Sequence, residues 1–199
     1  MSYELQALIG PAELVAVAAA EVPAARPRPL AQGLALIPAT PEFLAAFRGG
    51  DGAAASGSTS SGSSGSSAGS TSSTAEAASA SSAAPAASRA AGPVSFDWFP
   101  DGLERRLAAW SKAAPIACVE ADYFGGTGTQ RAAVWADGRV DLGPITSGEF
   151  EAFPPEGSPI SRVLRRLGAQ VGEGGDARDE FDAVGLGAHR ATASWVSGD

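Results

Sequence analysis

From Tyr3 to Ile9 the side chains Tyr3, Leu5, Ala7 and Ile9 alternate with other residues, the period of a strand with one face turned inward. Pro11 then opens a run rich in Ala, Glu and Leu that reads as a helix to Glu21, because proline suits a first turn and those residues are good helix formers. Pro23, Pro27 and Pro29 break it. Leu30 to Ile37, which contains the apolar run Leu34 to Ile37, predicts a second strand, and Thr40 followed by Pro41 caps and starts a short helix carrying Phe43, Leu44 and Phe47.

Between Gly49 and Gly92 this pattern vanishes. Every residue there except Asp51, Glu76, Pro85 and Arg89 is Ala, Gly, Ser or Thr. Such a stretch buries too little apolar surface to offset the entropy of ordering it, so the sequence predicts a disordered tether over 49–92. It separates an N-terminal piece, residues 1–48, from a C-terminal piece, residues 93–199. The first piece is short for independent stability and contains neither Cys nor His to staple it. The two pieces are therefore expected to be halves of one domain, with the insertion tolerated because closure entropy grows only logarithmically with loop length.

Beyond the gap, Asp101 and Glu104 have the spacing of a capping box, and Leu103, Leu107 and Trp110 share one helical stripe before Pro115. Ile116 to Phe124 and Arg131 to Ala136 read as strands joined by the loop from Gly125 to Thr129, and Asp137-Gly138 turns the chain into a third strand, Arg139 to Leu142. Ser158-Pro159 starts a helix with Ile160, Val163, Leu164 and Leu167 on one face and Gly168 at its end. Phe181 to Leu186 reads as a last strand. The fold class expected is α+β: a single domain with an antiparallel sheet and flanking helices, interrupted by a long disordered loop.

Composition narrows the partners. With 22 acidic against 14 basic residues the chain carries a formal charge of −8, which repels phosphate backbones and anionic lipid, so neither nucleic acid nor a membrane is expected as a partner. The longest strongly apolar run, Leu14 to Ala20, is far shorter than a membrane span. No basic region precedes it, so no secretory signal is read, and one Cys excludes an internal disulfide. Cytoplasmic localisation is the expectation. A single Cys and a single His do not make an ordinary structural zinc site, and no cofactor fingerprint is present, so no metal or cofactor is expected.

Four features bear on chemistry. The cluster Gly125-Gly126-Thr127-Gly128-Thr129 resembles a phosphate-cradling loop, but it lacks the Gly-Lys-Ser/Thr ending and precedes a strand, so it reads as a hairpin turn. Glu120 and Asp122 share one strand face; they read as a solvated strand end paired with Arg131 or Arg139, as a partner surface with Tyr123, Phe124 and Trp135, or as a carboxylate pair for catalysis or ligand binding. Cys118 sits mid-strand and reads as a buried thiol rather than a nucleophile served by His189, which is placed at the surface or in the tail. Arg162, Arg165 and Arg166 read as the solvated side of their helix, and the segment Glu149 to Glu156 mixes acids with Phe150 and Phe153 as a mobile lid or docking strip.

The run Val119-Glu120-Ala121-Asp122-Tyr123-Phe124-Gly125-Gly126-Thr127-Gly128-Thr129-Gln130, followed by Val134-Trp135, resembles that of small acidic proteins from GC-rich bacteria. Gln32 to Leu36 and Asp179 to Gly187 are similar to their flanking segments. Some proteins of this type look like immunity proteins of bacterial competition systems, and that resemblance implies a cofactor-free domain that binds a basic protein; it carries over no catalytic residue. The expected function is thus a non-enzymatic protein-binding module of inhibitor or immunity type, with candidate contact residues Glu120, Asp122, Tyr123, Phe124 and Trp135. The alternative is a small enzyme or ligand-binding domain built on Glu120 and Asp122.

Overall fold

A central strand, β1 (Ser2–Pro11), organises the molecule. On one side it pairs antiparallel with β3 (Leu34–Pro38), which in turn pairs with the two-residue β2 (Arg28–Pro29). On the other it pairs antiparallel with β4 (Ile116–Phe124), followed by β5 (Thr127–Ala136) and β6 (Arg139–Ser147). The six-stranded order is β2-β3-β1-β4-β5-β6. The computed structural model describes residues 2–48, 96–172 and 176–197; the tether expected at 49–92 lies outside the described residues.

The strand alternation of the sequence is doubled in the sheet, because both faces are covered. One face, bearing Leu8, Ile37, Ile116, Cys118 and Trp135, packs under α1 (Ala12–Glu21), α2 (Pro41–Ala45) and α3 (Asp101–Trp110). The other, bearing Leu5, Ala7, Ile9, Val119 and Val134, packs under α4 (Pro159–Arg166), α5 (Glu180–Val184) and α6 (Ser194–Ser197). Residues from before and after the stretch 49–95 thus share one α+β domain with an antiparallel sheet and flanking helices.

Local signals fix most of the ends. The Thr40 side chain accepts from the Phe43 amide and the Ser158 side chain from the Ser161 amide, each followed by Pro in the first turn. At the end of α4 the Gly168 amide donates to Arg165 and the Ala169 amide to Leu164, the paired bonds of a Schellman stop, with Gly168 at φ 97°. Asp137 and Gly138, both at positive φ, make the tight turn from β5 into β6. Between layers, Glu21 accepts from Trp110 Nε1 at 2.9 Å and pairs with Arg106 at 3.2 Å, joining α1 to α3.

Three sequence expectations change. The residue at the N-cap of α3 is Pro100 and Asp101 is already helical, so the N-cap position expected for Asp101 falls one residue earlier. The loop from Gly125 to Thr129 shrinks to the turn Gly125-Gly126, since Thr127, Gly128 and Thr129 pair with Phe124, Tyr123 and Asp122; both glycines sit at positive φ, which matches the twist of a two-residue hairpin. The segment Phe181–Leu186 is no strand: Glu180–Val184 is helical and Leu186–Ala188 forms a 3-10 turn. A short apolar run does not by itself separate buried strand from helix. Here the Asp179 side chain accepting from the Asp182 amide and the left-handed Gly185 decide for a helix.

Candidate functional site

One end of the sheet is formed by the start of β1, the β4–β5 turn and the end of β6. Register sets the side chains there. Gln6, Glu120, Arg131 and Thr146 lie across four strands, and Glu4, Asp122 and Thr129 form the next rung. Glu120 is half-buried, accepts from Gln6 Nε2 at 3.5 Å and stands opposite Arg131, which also approaches Asp97 at 3.8 Å and lies over the Phe96 ring. Asp122 is exposed. Of the pairings expected for the two acids, Arg131 faces Glu120, while Arg139 lies at the opposite end of the hairpin beside Ala136.

Burial raises the Glu120 pKa above the ordinary 4.5; Arg131 opposes the shift, Asp97 adds to it, the Gln6 hydrogen bond lowers it and Asp122 raises it. A carboxyl whose folded pKa is raised favours folding in its protonated form, so its ionisation costs stability as pH rises through the raised value. Glu120→Gln is accordingly expected to melt at a slightly higher temperature than wild type at pH 7, with the gain vanishing below pH 4.5. Thermal unfolding at the two pH values checks this.

Strand alternation splits the five candidate residues. Glu120, Asp122 and Phe124 project from one face of β4 and Tyr123 from the other. Trp135 is only 1% exposed, stacked on Phe99 with ring centroids 6.0 Å apart, so it belongs to the core and presents nothing to a partner. Phe124, next to the turn, is 76% exposed. The five therefore do not form one surface, and the correction follows from period two: neighbours in sequence along a strand are not neighbours on a face.

A second aromatic strip, in the segment from Glu149 to Glu156, follows β6. Ser147, the last residue of β6, pairs with Gln130, only three residues from the start of β5, or about 10 Å along the strand. The chain leaving β6 carries Phe150 at 83% and Phe153 at 47% exposure, with Glu149, Glu151 and Glu156 also exposed. The Glu151 carboxylate accepts from the Gly148 amide at 2.8 Å, and Phe150 holds a left-handed φ of 62°. An aromatic residue rarely adopts that conformation, and it turns this ring outward at a local conformational cost.

On the α5 side of the same end lies a groove of about 490 Å³. Tyr3, Tyr123 and Gln130 line its floor; Phe153, Phe181 and Arg190 are among its walls. Tyr3 donates to the Leu186 carbonyl at 3.1 Å and meets Phe181 edge to face at 5.6 Å. Burial raises the hydroxyl pKa of Tyr3, opposed by the Arg190 charge, and burial also raises that of Tyr123, opposed by a hydrogen bond with Gln130. Gly128 faces Tyr123 across the hairpin, and a Cβ there would stand 2.1 Å from the Asp122 carbonyl oxygen and 2.6 Å from the Tyr123 Cα. Gly128→Ala is expected to cost about 3 kcal/mol, the upper range for overpacking, because backbone atoms must move; urea unfolding measures it.

This groove was not legible in sequence. Its C-terminal wall is placed by the Glu4 amide donating to the Arg190 carbonyl and by the Gln6 amide donating to Thr192 Oγ1, contacts more than 180 residues apart in the chain. Asp179–Gly187, read as a segment with a strand, supplies the helical wall.

Cys118 is fully buried, and burial raises its thiol pKa well above the ordinary value, which leaves it an inert core residue. It sits under the α1 layer, whereas His189 packs edge to face on Trp195, a core residue of the opposite face, at 4.6 Å, so the two form no dyad. Arg165 and Arg166 are not simply solvated: they pair with Glu180 and Asp141, each at 2.7 Å, and tie α4 to α5 and to β6. Among the described residues no three of His, Cys, Asp and Glu stand together as a metal site, and no helix is long and apolar enough to cross a membrane. Comparison with protein-family models, with curated proteins and with solved structures finds no match for this chain.

Proposed function

We propose that the chain is a non-enzymatic protein-binding module, of inhibitor or immunity type, whose acidic and aromatic sheet end docks a basic protein. The observation that carries this reading is the exposure of two large rings, Phe124 at 76% beside the β4–β5 turn and Phe150 at 83% in the segment that leaves β6. Covering a phenylalanine fully is worth about 1.5–3 kcal/mol, so two such rings supply the anchor of an interface. Exposed acids accompany each ring, Asp122 on the same face of β4 as Phe124 and Glu149 and Glu151 on either side of Phe150 in sequence, and the chain as a whole is at −8. Charges of that kind act mainly through association rate, apolar anchors mainly through dissociation.

The carboxylate-pair reading has less behind it. Glu120 faces Arg131, and the groove opens on the other side of the sheet from Glu120 and Asp122. Copurification from native extract, with mass spectrometry of the bound fraction, tests the proposal. A basic protein should be recovered, and Asp122→Asn with Glu149→Gln and Glu151→Gln should slow its association and flatten the salt dependence. Association that ignores both salt and these substitutions would place the contact elsewhere.

A further inference from the structure

The groove on the α5 face stands apart from the exposed rings Phe124 and Phe150, neither of which lines it. Its volume of about 490 Å³ falls within the roughly 300–1,000 Å³ typical of small-molecule sites. Aromatic rings bound it: Tyr3 and Phe181, locked edge to face, with Tyr123 on the floor and Phe153 above. Tyr123 lies over Gly128, where a Cβ would stand 2.7 Å from the Tyr123 Cγ, so the glycine makes room for the tyrosine that lines the groove.

The polar groups determine which charge the groove accepts. Asp179 has both oxygens engaged, one taking the Asp182 amide at 3.0 Å and the other the Ser161 hydroxyl at 3.1 Å. Asp182 accepts from Arg178 Nε at 3.3 Å. The Ser158 hydroxyl takes the Ser161 amide and donates to Ser161 Oγ, and Gln130 Oε1 takes the Ile160 amide. Arg190 differs. Its backbone is pinned by the Glu4 amide at 2.9 Å, its charge reaches the Tyr3 hydroxyl, and among the described residues its guanidinium has no ion pair or hydrogen-bond acceptor. Of the two arginines lining the groove, Arg178 is held to Asp182 through Nε, and Arg190 has no carboxylate partner among the described residues, so its fork of donors fits a ligand carboxylate in bidentate fashion.

We infer that this groove binds a small aromatic carboxylate, the ring lying against Tyr123 and Phe181 and the carboxylate on Arg190. Aromatic walls hold a planar ring by stacking and edge contacts, and the Arg190 guanidinium at one wall sets its direction. In a chain of charge −8, an anion is drawn to this groove by a local arginine and not by the overall field.

The test titrates the full chain with 4-hydroxyphenylacetate and, separately, with its neutral amide, following the backbone and tyrosine resonances by NMR. The carboxylate is expected to shift Tyr123, Phe181 and Gly187 saturably, and to bind about tenfold more tightly than the amide, the size of one charge-assisted contact. Arg190→Gln should remove that tenfold advantage and leave amide binding and the melting temperature unchanged. Arg139→Gln, at the far end of β6, should change nothing. Equal affinity for acid and amide, an Arg190→Gln chain that keeps the preference, or no saturable shift at millimolar ligand overturns the inference. Tighter binding by a peptide ending in tyrosine than by the free acid would overturn the small-molecule assignment. None of these results bears on Phe124 and Phe150, so the protein-binding reading stands or falls separately.

Discussion

A chain lacking residues 1–48 is expected to show no cooperative unfolding transition. The deletion removes β1, which is paired on both sides, and so takes out the middle of the sheet rather than an edge. It also removes Leu5, Leu8, Ile9, Leu36, Ile37 and Phe43, all fully buried. At about 2 kcal/mol for each such side chain the loss is comparable with the whole 5–15 kcal/mol margin of an ordinary domain. The strand edge of β4 left behind would carry Ala117, Cys118 and Val119 into water with unpaired amides. Circular dichroism of residues 93–199 expressed alone checks this; a sharp transition matching that of the full chain would show the first 48 residues to be dispensable.

Trp135→Ala is expected to destabilise by about 3–5 kcal/mol, as large-to-small changes of buried aromatics do. Its ring is stacked on Phe99 within the cluster of Phe96, Trp98 and Phe99, and its neighbour across the ladder is Ile116, also fully buried. The next rung on the same face is Cys118 and Ala133, both small, so no neighbouring side chain of the sheet can fill that space. Denaturant unfolding reads the loss directly. A Trp135→Ala chain of unchanged stability would mean that the indole is a surface contact after all.

The contrast between Trp135 and Phe124 marks how far the sequence is legible. The strand Tyr3–Ile9, the caps at Thr40 and Ser158, the Asp137-Gly138 turn and the stop at Gly168 all rest on local chemistry, and each appears where that chemistry places it. What local chemistry does not carry is which element lies over which face. Trp135 follows Val134 in a strand and reads equally well as an exposed aromatic, until Phe96–Phe99 arrive from another part of the chain to cover it. The helix Glu180–Val184 has too few residues to show a period, and only its capping aspartate and left-handed glycine betray it. The groove is further still from the sequence, because Tyr3, Tyr123 and Arg190 meet only through the pairing of β1 with β4 on one side and with the Arg190–Thr192 segment on the other.

The acidic pair shows the same limit from another angle. That Glu120 and Asp122 share a face follows from period two alone, and so does the separation of Tyr123 from them. Their unequal environments do not. Glu120 is half-covered because Arg131, Asp97 and Gln6 crowd it, whereas Asp122, two residues closer to the turn, is left to solvent. A binding role for the pair therefore falls mainly to Asp122, and Glu120 is held as part of the sheet.

The most direct measurement of the central claim is the dissociation constant of the basic partner recovered from native extract, compared between the wild-type chain and Phe124→Ala with Phe150→Ala. Both rings are exposed, so their removal should leave the melting temperature unchanged. The account predicts at least a hundredfold weaker binding, carried by faster dissociation, since two anchoring rings together supply roughly 3 kcal/mol or more. An unchanged dissociation constant, in a chain that still melts as wild type does, would contradict it.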